Sequence, residues 1–197
     1  MINSNNLFHQ LIKKMKVIKK CLWAAVTLSL IVSACKEKEV DPTDDNEAIT
    51  TATLKLTNKA NSAEVVTATI ENLDKMADFT NATLRLKPNV TYSGIIQLYD
   101  KTKTPMLDVS AEVKAEQNEH LFIYTPSTAG LLIVTITDKD SNPSPRPFPV
   151  GLTFEVKTGA AATKKLNVRL RHQPGAKNGT AGPGSDDLNT DFLIVIQ

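Results

Sequence analysis

The sequence predicts an all-β body, an antiparallel β-sandwich with one short helix, and three observations carry that prediction. From Thr51 onward, apolar and polar residues alternate with a period of two. Turn-forming residues punctuate the alternating runs at short intervals. Only one stretch has the spacing of a helix.

The strands follow in order. Leu54 and Leu56 alternate with Thr53, Lys55 and Thr57, and Val66, Ala68 and Ile70 with Thr67 and Thr69. Leu84 and Leu86 flank Arg85, and a further strand covers Tyr92 to Tyr99. His120 to Thr125 is the next. Val150, Leu152, Phe154 and Val156 then alternate with Gly151, Thr153, Glu155 and Lys157, and Leu166, Val168 and Leu170 with Asn167, Arg169 and Arg171. Such alternation puts one face in a core and the other in water. Leu131 to Ile136 and Phe192 to Ile196 are apolar on both faces, which predicts central or doubly covered strands. Turns are expected at Asn58 to Ala63, Pro88-Asn89, Pro126 to Gly130 and Thr158-Gly159-Ala160. About nine short strands result, and their regular spacing predicts two antiparallel sheets with Greek-key, immunoglobulin-like wiring. Asp108 to Glu119, DVSAEVKAEQNE, breaks the rhythm. Val109 and Val113 lie four apart, so the spacing predicts a short helix capped by Asp108 or Ser110.

Upstream of this body the chain reads as an export signal. Lys13, Lys14, Lys16, Lys19 and Lys20 precede an uncharged run from Cys21 to Ala34. That run has 14 residues, whereas a membrane-spanning helix needs about 20. Basic head, short apolar middle and small residues at the end describe a secretory signal peptide. The terminal Val32-Ser33-Ala34-Cys35 resembles a bacterial lipobox, which implies cleavage before Cys35 and lipid on its sulfur. Residues 1–14 are atypical of a signal, so translation is expected to start at Met15. One acyl chain holds only weakly, at about 0.8 kcal/mol per buried methylene, and the two or three chains of bacterial lipoproteins hold far longer. Residues 36–50, KEKEVDPTDDNEAIT, contain eight charged residues and read as a disordered tether. Fully extended it would reach about 50 Å. The expected organisation is signal peptide 1–34, lipidated cysteine and acidic tether 35–50, and a single domain 51–197.

Composition narrows the function. Residues 51–197 carry 16 basic and 15 acidic side chains, so no basic field is present to attract nucleic acid. The body has no cysteine, which excludes disulfides and thiolate zinc sites there. Nucleophile elbows, His-Glu-x-x-His and phosphate loops are absent, and no enzymatic activity is expected. The only tryptophan, Trp23, lies in the signal, and Tyr92, Tyr99 and Tyr124 form no spaced platform for sugars. Asp138 to Asn142 opens like a calcium loop, but Pro143 and Pro149 stand where that motif needs glycine and glutamate.

Two histidines remain, and topology predicts that they meet. If strands 120–125, 131–137, 148–157 and 163–171 run alternately up and down, His120 and His172 share one rim. The loop from Asp138 to Pro147 hangs there too, with Glu119, Asp186 and Asp187. His120, His172, Asp138 and Asp140 are therefore candidate ligands for a transition metal such as zinc, with copper and iron as alternatives. The competing reading makes them rim histidines bonded to backbone or water. Gln173 to Asp187, with Gly175, Gly179, Gly182 and Gly184, is mobile by composition, as a ligand flap or an idle connection.

NEHLFIYTP, LLIVTITDKDSNPSPRPFPVGL, LNVRLRHQPGAKNG and DLNTDFLIVIQ resemble segments of a family of small Bacteroidota lipoproteins. The likeness runs from about Asn46 to Gln197, and His120 and His172 fall inside its motifs. The proline-rich stretch Pro143–Pro149 departs from the glycine-containing loop of that family. Some members carry a label implying a type 1 periplasmic-binding fold, whose alternating strands and helices this sequence lacks. The resemblance implies an outer-membrane lipoprotein found beside TonB-dependent receptors. The Cys35-Lys36-Glu37 start, followed by further acids and interrupted by Lys38, resembles the export tag of surface-exposed Bacteroidota lipoproteins, so the cell surface is expected in preference to the periplasmic face. The expected role is a lipid-anchored binding module, accessory to nutrient or metal capture. The alternative is a structural or interaction lipoprotein of the outer envelope with no small ligand.

Overall fold

The computed structural model describes residues 48–142 and 147–197. The signal, Cys35, nearly all of the tether and the tip of the proline loop lie outside the described residues. Ten strands and one helix form the body: β1 Thr51–Asn58, β2 Val65–Ile70, β3 Thr83–Leu86, β4 Thr91–Asp100, β5 Leu107–Asp108, α1 Val109–Ala115, β6 His120–Pro126, β7 Leu132–Ile136, β8 Thr153–Thr158, β9 Ala162–His172 and β10 Ser185–Ile196.

The strands make two sheets, one in the order β2-β1-β4-β8-β7 with β5 beside the end of β4, the other β3-β10-β9-β6. The chain changes sheet after β2, β3, β5, β6 and β8, which ties the two layers together repeatedly. All pairings are antiparallel except β3 with β10, which is parallel. The expected sandwich is therefore present, as a mixed rather than purely antiparallel one.

The core lies between the sheets and is filled by the alternating residues. Leu54, Leu56, Ile70, Leu84, Leu98, Phe122, Phe154 and Phe192 are all at most 2% exposed. Burying a side chain of this size stabilises the fold by roughly 1.5–3 kcal/mol. Tyr124 packs on Phe154 with ring centroids 4.5 Å apart, and its hydroxyl donates to the Gly151 carbonyl at 2.6 Å. Gly94 sits where a side chain would collide with the Phe154 ring and Leu56. That close approach explains a glycine at an inward-facing position of β4.

The helix forms where its spacing predicts. The Asp108 carboxylate accepts from Ala111 N at 3.3 Å and is the N-cap, while Val109 and Val113 are buried. Ser110, the other cap candidate, accepts from Leu98 N at 2.6 Å and fastens the helix to β4.

Two local expectations are corrected, and a third, the central place of Phe192–Ile196, holds. The Leu131–Ile136 run is not a covered central strand: β7 is a sheet edge, and Ile133 is 51% exposed beside Lys157 in the register. Branched residues suit strand geometry whether or not both faces are covered. Phe192–Ile196 does lie in a central strand, β10, but its outer face is open at Leu193. Ile49 and Thr50, assigned to the tether by composition, belong to the body. Ile49 is buried, and Thr50 N donates to the Tyr99 carbonyl at 2.9 Å.

Candidate functional site

The two histidines meet because register puts them together. β6 pairs with β9 so that His120 lies directly opposite His172. Both share the inward parity of Phe122 and Leu170, another directly opposed pair. The imidazoles stack with centroids 4.7 Å apart and planes 8° from parallel. His120 is fully buried, and the His172 side chain is 10% exposed.

A third group arrives through a β-bulge. β10 pairs Asp186 with Arg171 and then Leu188 with Leu170, which leaves Asp187 as an extra residue. A bulge re-aims the side chain it inserts. Asp186 goes to Arg169 and Arg171, with an oxygen 2.7 Å from Arg171 Nη1. Asp187 goes instead to His120: its Oδ2 is 3.5 Å from His120 Nε2, and both side chains are wholly buried.

The helix end supplies the rest. His120 Nδ1 lies 3.2 Å from the Glu116 carbonyl oxygen. A carbonyl only accepts, so Nδ1 carries the hydrogen. The Glu119 carboxylate is 3.7 Å from His172 Nε2. Glu116, His120 and His172 each present a potential ligand atom, all within 4.8 Å of one another. Burial pulls the His120 ring toward its neutral form. The Asp187 carboxylate and the Glu116 carbonyl outweigh that pull and hold it protonated to a higher pH than an ordinary histidine.

Asp138 and Asp140, the other two candidate ligands, lie on the neighbouring loop and are engaged elsewhere. Asp138 accepts the backbone N–H groups of Gly151 at 2.7 Å, Leu152 at 3.0 Å and Thr153 at 3.3 Å. Asp140 accepts from Phe148 N at 2.9 Å and faces the buried Lys177 ammonium at 3.0 Å. Lys177 also donates to the Gln117 carbonyl at 2.7 Å. Burial lowers the Lys177 pKa below the usual lysine range, against the pull of Asp140. These two aspartates close the loop and tie it to its neighbours.

The glycine-rich connection is likewise fastened, contrary to the freedom its composition suggests. Gln173 is fully buried; its N–H donates to the Glu119 carbonyl and its side-chain amide to the carbonyls of Thr180 and Pro183. Gly184 has φ +78° and lies against the His172 carbonyl, so a side chain there would push β9 and β10 apart.

Sequence reasoning brings His120 and His172 to one rim but leaves Glu116 and Lys177 out. Glu116 caps the end of α1 and His120 opens β6, so the turn between them, and no helical or strand period, brings the two together. Asp187 could be placed on the rim but not aimed, because a bulge leaves no mark in a period-two pattern.

No family model, curated protein or solved structure matches this chain.

The rim's chemistry therefore follows from its own atoms. With Nδ1 protonated toward Glu116, a neutral His120 presents the Nε2 lone pair to the Asp187 carboxylate. Two acceptors then face each other in a dry place, and either a proton on Nε2, which Asp187 favours, or a metal cation between them satisfies both. Neither His120 Nε2 nor either Asp187 oxygen has a hydrogen-bond partner.

Proposed function

We propose that this protein is a lipid-anchored binding module of the outer envelope, an accessory to nutrient or metal capture, held through lipid on Cys35. It would act beside a TonB-dependent receptor and offer one end of the sandwich to its ligand. The observation that supports this reading is the concentration of buried polar groups at that end. His120, His172, Asp187, Asp140 and Lys177 are all withdrawn from water where the helix end and two long loops meet. Convergent polar groups on a rigid scaffold are the usual form of a ligand site.

The anchor is tested by changing Cys35→Ser in the native host. The reading expects the protein to move from the membrane fraction to the soluble fraction, and unchanged membrane retention overturns it. The rim is tested by His172→Gln in the anchored protein. It should reproduce the growth defect of a deletion strain under metal or nutrient limitation, and wild-type growth would sink the assignment.

One observation favours the alternative, an interaction lipoprotein with no small ligand. Phe79, Ala82, Thr83, Phe192 and Leu193, together with the Lys165–Asp191 ion pair, line a cleft of about 390 Å³ beside β3 and β10. Phe79 is 52% exposed there. Normal growth of the His172→Gln strain, together with a defect on Phe79→Ser, would select this second reading.

A further inference from the structure

The buried His120–Asp187 pair is longer than a hydrogen bond, though within the range of an ion pair. A protonated His120 against Asp187 would close to about 2.7–2.9 Å, the range of charge-assisted N–H···O bonds. The observed separation is 3.5 Å, and His172 Nε2 to Glu119 is 3.7 Å. Both are too long for strong hydrogen bonds. Each pair by itself is near the roughly 3.4 Å that separates two atoms held about 2.0–2.1 Å from one zinc, and the ligand atoms that converge at the rim are those of His120, His172 and Glu116, within 4.8 Å of one another. The Glu116 carbonyl supplies the outer contact that fixes the ring tautomer of a metal-binding histidine, leaving Nε2 free.

We propose that His120, His172 and the Glu116 carboxylate, whose ligand atoms lie within 4.8 Å of one another, bind one divalent transition-metal ion of the zinc type, with Asp187 as the buried countercharge beside His120. Imidazole and carboxylate donors together select zinc, copper or iron over calcium and magnesium. Parallel rings cannot both aim their lone pairs at one ion, because a ligated metal lies in the plane of each imidazole. Binding therefore requires one ring to turn. His172 is the one able to do so: it reaches the surface, whereas His120 is enclosed and held at Nδ1. Asp138 and Asp140 are excluded from the set by their backbone and lysine partners. The inference rests on the rim being the binding end, and it is independent of how the chain is anchored.

The test uses the full chain in detergent, stripped with a chelator and titrated with zinc ion alone. One zinc per chain is expected, with affinity reduced at least tenfold by Asp187→Asn and by His172→Gln. Asp138→Asn should bind like the wild type. Cobalt substituted for zinc should give the intense visible bands of a tetrahedral site, and these should vanish in His172→Gln. Because Asp187→Asn alters a buried group, its fold is checked by near-ultraviolet circular dichroism, and the more accessible His172→Gln carries the decision if it fails. Zinc binding that is absent, or unchanged in His172→Gln, overturns the proposal. Either result leaves the membrane-fraction outcome for Cys35→Ser unaffected, so failure of the metal site and failure of the anchored-module reading are separate results.

Discussion

Asp187 reaches His120 across an intervening strand. β10 and β6 are not neighbours, since β9 lies between them, and two strand spacings amount to roughly 9.6 Å. The contact is possible because the bulge at Asp187 turns an extra side chain beneath the stacked histidines. A regular ladder at this point would leave His120 without the Asp187 charge.

Asp138 is a fastener of its loop, and its loss should be felt in stability. Asp138→Ala leaves the N–H groups of Gly151, Leu152 and Thr153 without their acceptor. Hydrogen bonds to a charged group contribute about 1.5–3 kcal/mol, so a loss of about 2–3 kcal/mol is expected. Urea unfolding measures it; a midpoint equal to the wild type would show that water replaces the carboxylate.

Gly94 marks the tightest contact of the core. Gly94→Ala puts a methyl group into the Phe154 ring and 2.8 Å from Leu56 Cδ2. Overpacking of this kind costs about 1–3 kcal/mol. Thermal unfolding should show a lowered midpoint, relieved in part by Phe154→Leu in the same chain.

Acid should weaken the turn after β4. Asp100 Oδ1 accepts from the Thr102 hydroxyl at 2.6 Å and its N–H at 2.8 Å. The hydroxyl first, and then the N–H, hold this carboxyl below its ordinary value of 3.8. A group whose pKa is lower in the folded state contributes stability above the unfolded value and loses it as the pH falls through the folded one. The contribution of Asp100 is therefore present at neutral pH and disappears below about pH 4. Thr102→Val removes the hydroxyl donor. Its denaturation midpoints should fall less steeply than the wild type between about pH 4 and 2, and parallel curves would refute the assignment.

The alternation of Leu54, Leu56, Val66, Ala68, Leu166 and Val168 with polar neighbours was enough to determine a two-sheet body. The inward parity of His172 followed from the same pattern, because a strand can present only two faces. Val109, Val113 and the Asp108 cap were legible for a similar reason: helix signals are local. The central place of β10 was legible, but the edge at β7 was not. Ile133 and Leu193 read as covered, because apolar content records what a residue tolerates and not what lies against it. The parallel pairing of β3 with β10 was equally hidden, since it joins residues more than a hundred positions apart.

For the rim, the sequence by itself determined that one histidine opens its strand and the other closes its own at one end of a thiol-free body. Only the tertiary structure decided which carboxylates they meet. It withdrew Asp138 and Asp140 to backbone N–H groups and Lys177, and it brought in Glu116 and the bulged Asp187. The physical reason is that strand direction is set by a pattern repeated along many residues. The aim of a single side chain depends on one irregular pairing, which no neighbouring residue records.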